Sequence, residues 1–172
     1  MSTSDRTGLL GLRWLLLSLV IVVLDQWTKS IATASLQLHQ SVDVIAGLKW
    51  TLAHNYGVAF SLFNDGDGWQ RFVLSGFALV VACGFIVMLT RQPRSDKGTK
   101  LAFALVIGGA FGNVIDRIRF GYVVDFIDVY WRDSHWPAFN IADASICVAA
   151  VVLLIWGWKH ERAASPAAVK ER

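Results

Sequence analysis

The chain is short of charge and of cysteine. Only 17% of its 172 residues are Asp, Glu, Lys or Arg, against about 25% in an ordinary soluble domain. The same composition excludes disorder, because 55% of the residues are hydrophobic. Two cysteines, Cys83 and Cys147, each inside an apolar run, exclude a disulfide scaffold and pack as small apolar residues. The four histidines, His39, His54, His135 and His160, lack metal-ligand spacing, so no metal or cofactor is expected. A phosphate-binding glycine loop is also missing. No internal repeat or low-complexity tract is present. The basic residues flank apolar segments and read as topology signals, with no nucleic-acid surface.

What the chain has is long apolar runs, too many for a soluble domain of this size to bury. A hydrocarbon layer about 30 Å thick needs roughly 20 mostly apolar residues in a helix. Four segments meet or approach that length. They cover about residues 9–34, 71–90, 100–117 and 138–158, with an unbroken run from Trp14 to Leu24 in the first and one acid, Asp143, in the fourth. A β-barrel would require alternation, which runs such as Val148–Ile155 do not show. The expected fold class is an all-α membrane protein, one integral domain over residues 1–172 with four transmembrane helices. The ends of the first segment also imitate a cleavable leader, with Arg13, an apolar core and Ala32-Thr33-Ala34, although Asp25 and Lys29 interrupt that pattern.

Lysines and arginines set the orientation. Arg91, Arg94, Lys97 and Lys100 load the middle loop, and the tail from Lys159 onward is basic. The segments 35–70 and 118–137 hold few bases and several acids and aromatics, among them Asp43, Asp125, Asp128, Trp50, Trp131 and Trp136. Both termini are therefore expected in the cytoplasm and those two segments outside. In the first outer segment, Val42–Val44 and Lys49–His54 alternate loosely around Gly47 and predict a small extracytoplasmic β-element. Val129–Trp136 in the second predicts a short amphipathic interfacial helix.

Ionisable groups within spans are costly, and they mark function. Counting 1.5 Å per helical residue puts Asp25, Asn113, Asp116, Asn140 and Asp143 near one plane, just inside the outer leaflet. Asp125 follows the third span by a few residues and lies close to that level. Several of these have bland readings. Asp25 and Lys29, four apart, suit an ion pair. Gly108 and Gly112 suit close helix packing. Asn55, Asn113 and Asn140 could bond backbone. Arg117 suits either a headgroup anchor or a lipid-phosphate contact. Asp143 has no neighbouring base, and Asp125 sits in an apolar setting. Were the two to meet, one would hold a proton while the other ionised, the division of labour in aspartic proteases. A Ser–Lys hydrolase from Lys29 and Ser30 fails because neighbours on a helix point apart. A proton-coupled transporter would want its acid at the midplane. A non-catalytic assembly protein requires that both aspartates be dispensable.

Five segments, in order, resemble bacterial lipoprotein signal peptidase (the signal peptidase II family). They are Asp25-Gln26-Trp27-Thr28-Lys29, Asn55-Tyr56-Gly57-Val58-Ala59-Phe60, Gly108 through Arg117, Val123-Val124-Asp125-Phe126, and Phe139-Asn140-Ile141-Ala142-Asp143. The resemblance implies an aspartic endopeptidase of the bacterial inner membrane. Its substrates would be lipid-modified prolipoproteins in contact with membrane lipid, cut just before the diacylglyceryl cysteine. It implies Asp125 and Asp143 as the catalytic pair. Asn55, Gly108, Asn113, Arg117, Asn140, Asp25, Lys29 and Asp116 would support site or substrate. By the same resemblance globomycin is the inhibitor. Apart from that resemblance, a monomer is the default expectation.

Overall fold

The structure is a computed structural model that describes residues 11–57, 68–93 and 95–164. Residues 9 and 10 of the first expected span, Val58–Phe60 of the second matching segment, Arg94, and the tail after residue 164 lie outside the described residues. Four helices, α1 (Leu15–Ser35), α2 (Gln70–Arg91), α3 (Lys97–Phe120) and α4 (Ile141–Ala164), are each long and apolar enough to cross a membrane. The third runs about three residues further at each end than its apolar run suggested. Between them lie the strands β1 (Ser41–Ile45), β2 (Leu48–Asn55), β3 (Val123–Trp131) and β4 (Ser134–His135).

α3 is the axis of the helical part, packing against α1, α2 and α4. Its sequence explains why. Lipid provides no hydrophobic drive between helices, so close approach depends on small residues. A Cβ on Gly108 would lie 2.9 Å from the Ser18 carbonyl oxygen of α1, and one on Gly109 would lie 2.5 Å from the Ala142 carbonyl oxygen of α4. Gly112 abuts Asp25, 2.7 Å away on the same measure. The buried hydroxyls bond across these seams: Ser18 Oγ donates to Ala104 O at 2.7 Å, and Ser145 Oγ donates to Leu105 O at 3.1 Å. Below them, Leu89, Phe103 and Ile107 form one apolar cluster, and Ala102, Leu105 and Ala149 another.

Caps fix both ends of α3. The Asp96 carboxylate accepts from Thr99 N at 3.1 Å, satisfying a free amide of the first turn. At the other end Gly121 adopts φ +85°, a left-handed conformation that costs glycine little, and its N–H bonds Arg117 O. The chain therefore leaves the helix and enters β3 two residues later.

The sheet is antiparallel in the order β1-β2-β3-β4. Here the structure corrects the sequence reading. The segment expected as an amphipathic helix, Val129–Trp136, is the end of β3, a tight turn through Arg132 at φ 55°, and β4. The cause is partner geometry. β3 pairs with β2 through Leu48↔Val129, Trp50↔Ile127 and Ala53↔Asp125, and its β-branched and aromatic residues suit a pleated surface. The β-element expected on the first outer segment alone is thus half of a larger sheet.

Candidate active site

Asp125 and Asp143 arrive from different elements. β3 carries Asp125, buried beside Ala53. Asp143 stands in the first turn of α4. The link between them is Asn140. Its Oδ1 accepts from Asp143 N at 2.9 Å, the hydrogen bond of a helix N-cap. Its Nδ2 donates to Asp125 Oδ1 at 2.7 Å. One fully buried amide thus fixes the turn that bears one carboxylate and binds the other. On the far side, Asn113 Nδ2 donates to Asp143 Oδ1 at 2.7 Å, and Asn55 Nδ2 donates to Asp125 Oδ2 at 3.0 Å.

Behind this layer lies a buried charge cluster. Lys29 Nζ is 2.8 Å from both Asp25 Oδ2 and Asp116 Oδ2, and donates to Asn113 Oδ1 at 3.2 Å. Asp25 Oδ1 in turn accepts from Ala142 N at 2.9 Å, at the start of α4. Asp116 Oδ2 accepts from Val124 N at 3.0 Å, one residue before Asp125. The expected ion pair of Asp25 and Lys29 is therefore present. It extends to Asp116, which is buried. A buried charge survives only when paired and hydrogen-bonded, and here each partner also grips the backbone next to a candidate catalytic aspartate.

Gln26 was quoted within a matching segment but given no role. Its Nε2 donates to Asp116 Oδ1 at 2.7 Å and lies 3.2 Å from Gly112 O. Only tertiary proximity reveals that use, since an uncharged amide in a helix carries no functional signal. The pair His135–Asp128, at 2.8 Å, also went unread. It ties β4 to β3, away from the network above. Gly108 bears no polar contact and serves helix packing. Arg117 is half-buried, close enough to feel the charges of Asp143, Asp116 and Asp125, yet its Nε is buried with no hydrogen-bond partner among the described residues.

Burial, reinforced by the neighbouring Asp143 charge, raises the pKa of Asp125 from an ordinary 3.8 to about 7, although the Asn55 and Asn140 hydrogen bonds pull it the other way. Asp143 sits at a helix N-terminus, where the aligned peptide dipoles place partial positive charge. The two carboxyl groups thus have unlike surroundings. Among the described residues, no group of three or more His, Cys, Asp or Glu side chains is arranged to hold a metal ion.

Comparison with known proteins identifies the family and the fold. A family model described as signal peptidase (SPase) II matches residues 17–159. The chain is 50% identical to a lipoprotein signal peptidase of Acinetobacter baumannii over 84% of its own length and 82% of the relative's. Against the Vibrio cholerae protein of the same name the identity is 42%, covering 90% and 91%. A solved structure described as a bacterial membrane enzyme superposes with a TM-score of 0.77 at 26% identity, covering 90% of this chain and 92% of that one. A second so described gives 0.73 at 28%, covering 83% and 90%. With four spanning helices, a small antiparallel sheet and a matching model over most of its length, the chain belongs to the signal peptidase II family.

Proposed function

We propose that this protein removes signal peptides from diacylglyceryl-modified prolipoproteins by aspartic catalysis, cutting just before the lipidated cysteine, with Asp125 and Asp143 as the catalytic pair. The observation that carries the reading is the single Asn140 side chain bonded at one end to Asp125 and at the other to the turn bearing Asp143. Asp125, whose pKa is raised to about 7, serves as the acid, and Asp143 serves as the base. Asp143 takes a proton from a water as that water attacks the scissile carbonyl, and the Asp125 carboxyl donates its proton toward the carbonyl oxygen. Collapse of the tetrahedral intermediate returns a proton to the leaving amine. The lipid-modified substrate enters from the outer leaflet, and Arg117, with free N–H groups beside the carboxylates, holds oxygens of the lipidated cysteine or its backbone. A transporter reading is disfavoured by Asp143 lying in the first turn of α4, away from the helix centre.

The test is cleavage of a lipidated prolipoprotein by the purified protein, with globomycin as the expected inhibitor. Asp125→Asn and Asp143→Asn should each lower turnover by about 1,000-fold or more while the protein stays folded. The double variant should be little worse, because groups acting as one unit are not additive. For the wild type, kcat/KM should fall as pH rises through about 7, because deprotonating Asp125 removes the acid. Substantial cleavage by either single variant would end the dyad reading. Both termini and the α2–α3 loop belong in the cytoplasm. A single cysteine at residue 95 should accordingly be labelled only from that side, and labelling from outside would reverse the orientation.

A further inference from the structure

Beside the candidate active site, and separated from it by Lys29 and Asp116, a cavity of about 290 Å³ opens between the outer ends of α1 and α3 and the start of β3. Gln26, Lys29, Ser30, Thr33, Asp116 and Arg119 supply its polar lining. The mechanism uses none of this space.

Its hydrogen-bonding character is uneven. The three N–H bonds of Lys29 are already taken by Asp25, Asp116 and Asn113. The hydroxyls of Ser30 and Thr33 donate to Gln26 O and Lys29 O within α1, leaving their oxygens as acceptors. The Gln26 amide nitrogen is committed to Asp116, Gly112 and Asp25, which leaves its oxygen as an acceptor too. In the lining, the Lys29 ammonium is balanced by the Asp116 carboxylate, so the floor offers no unpaired cation. The inner part of the cavity is therefore rich in acceptors. The rim differs: Arg119 is exposed, lies over the Phe120 ring at 4.9 Å, and has no carboxylate partner among the described residues.

An anion alone would meet a floor of acceptors with no donor to spare, and a cation alone would leave Arg119 unused. We propose that the cavity binds a zwitterionic phosphoethanolamine headgroup of a bilayer lipid, the ammonium directed to Gln26, Ser30, Thr33 and Asp116 and the phosphate to Arg119. An ammonium with three N–H donors matches the acceptor set, whereas a trimethylammonium has none to offer. The guanidinium fork matches phosphate oxygens. The exposed apolar residues of α1 below the cavity, Val23, Leu24 and Trp27, leave a path for acyl chains. Because Lys29 and Asp116 line the cavity while Lys29 bonds Asn113 and Asp116 bonds Val124 N, a bound headgroup braces the network from behind.

The experiment is native mass spectrometry of the purified full chain in detergent with lipids of equal acyl chains. Phosphatidylethanolamine should be retained about tenfold more than phosphatidylglycerol or phosphatidylcholine. Arg119→Gln should reduce that retention at least about fivefold. Ser30→Phe, at an exposed helix position, should do the same by filling the cavity. Equal retention of the three lipids, or unchanged retention in both variants, overturns the proposal. Free O-phosphoethanolamine should compete at least about tenfold more weakly than the lipid. If it binds as tightly, the ligand is a soluble zwitterion and the lipid assignment falls. Neither readout involves cleavage, so the result is independent of the dyad.

Discussion

α2 and α3 are both spanning helices, yet they are built on opposite plans. α2 has no charged residue between Arg71 and Arg91 and is the most apolar of the four, but only 17% of its span is buried inside the protein. α3 carries Asn113, Asp116 and Arg117 and three interfacial glycines, and 67% of its span is buried. In water the apolar helix would be the buried one. In a bilayer apolar side chains are content against lipid, so the core goes to residues that need protein: small ones that let backbones meet, and polar ones that need partners. The contrast teaches where to look for function, because the least hydrophobic and best-packed helix carries Asn113, Asp116 and Arg117, which surround the two candidate catalytic aspartates of β3 and α4.

Several substitutions would break or sharpen the contrast. The largest effect is expected for Lys29→Met, on the polar side. It leaves Asp25 and Asp116 without their shared cation, and stranding a buried charge costs about 3–5 kcal/mol. Thermal unfolding in detergent should shift down by many degrees, with loss of cleavage. A shift no larger than that of a lipid-facing substitution would show that the cluster is not buried as described.

Next come the glycines. Gly109→Ala puts a methyl against Ala142 O and Ser145 Oγ, and overpacking of this kind costs about 1–3 kcal/mol. Gly84→Ala on α2 meets open space and should be neutral or stabilising by up to about 1 kcal/mol from helix propensity. Opposite signs in melting temperature are the expected result, and equal signs would erase the distinction between the helices. The smallest structural effect belongs to Arg117→Lys, which keeps the charge and loses the fork. Turnover of lipidated substrate should fall about tenfold while the melting temperature barely moves, the loss of roughly one charge-assisted hydrogen bond. Equal turnover would make Arg117 an anchor and place substrate contact elsewhere.

The four spans were legible because length and hydropathy are properties of contiguous residues, and a bilayer imposes both. The clustering of Asp25, Asn113, Asp116, Asn140 and Asp143 at one depth was legible for a similar reason: helical rise turns residue number into depth. The second outer segment was misread. β3 finds its partner strand about 70 residues away, and its first four residues are buried, so no alternation marks it as a strand. Gln26 gives no such signal, because the contacts that give it a role, to Gly112 and Asp116, are nonlocal.

By itself, then, the sequence determined a four-span membrane protein with two unexplained aspartates near one face, since insertion is decided segment by segment by transfer free energy. Only the tertiary structure decided that Asn140 joins those aspartates, that Lys29 bridges two other acids behind them, and that Asp125 rides on a strand. Those features depend on which side chains meet across helices and strands, and a bilayer that accepts any apolar surface does not dictate those meetings. Glycine seams and the need to satisfy every buried polar group do.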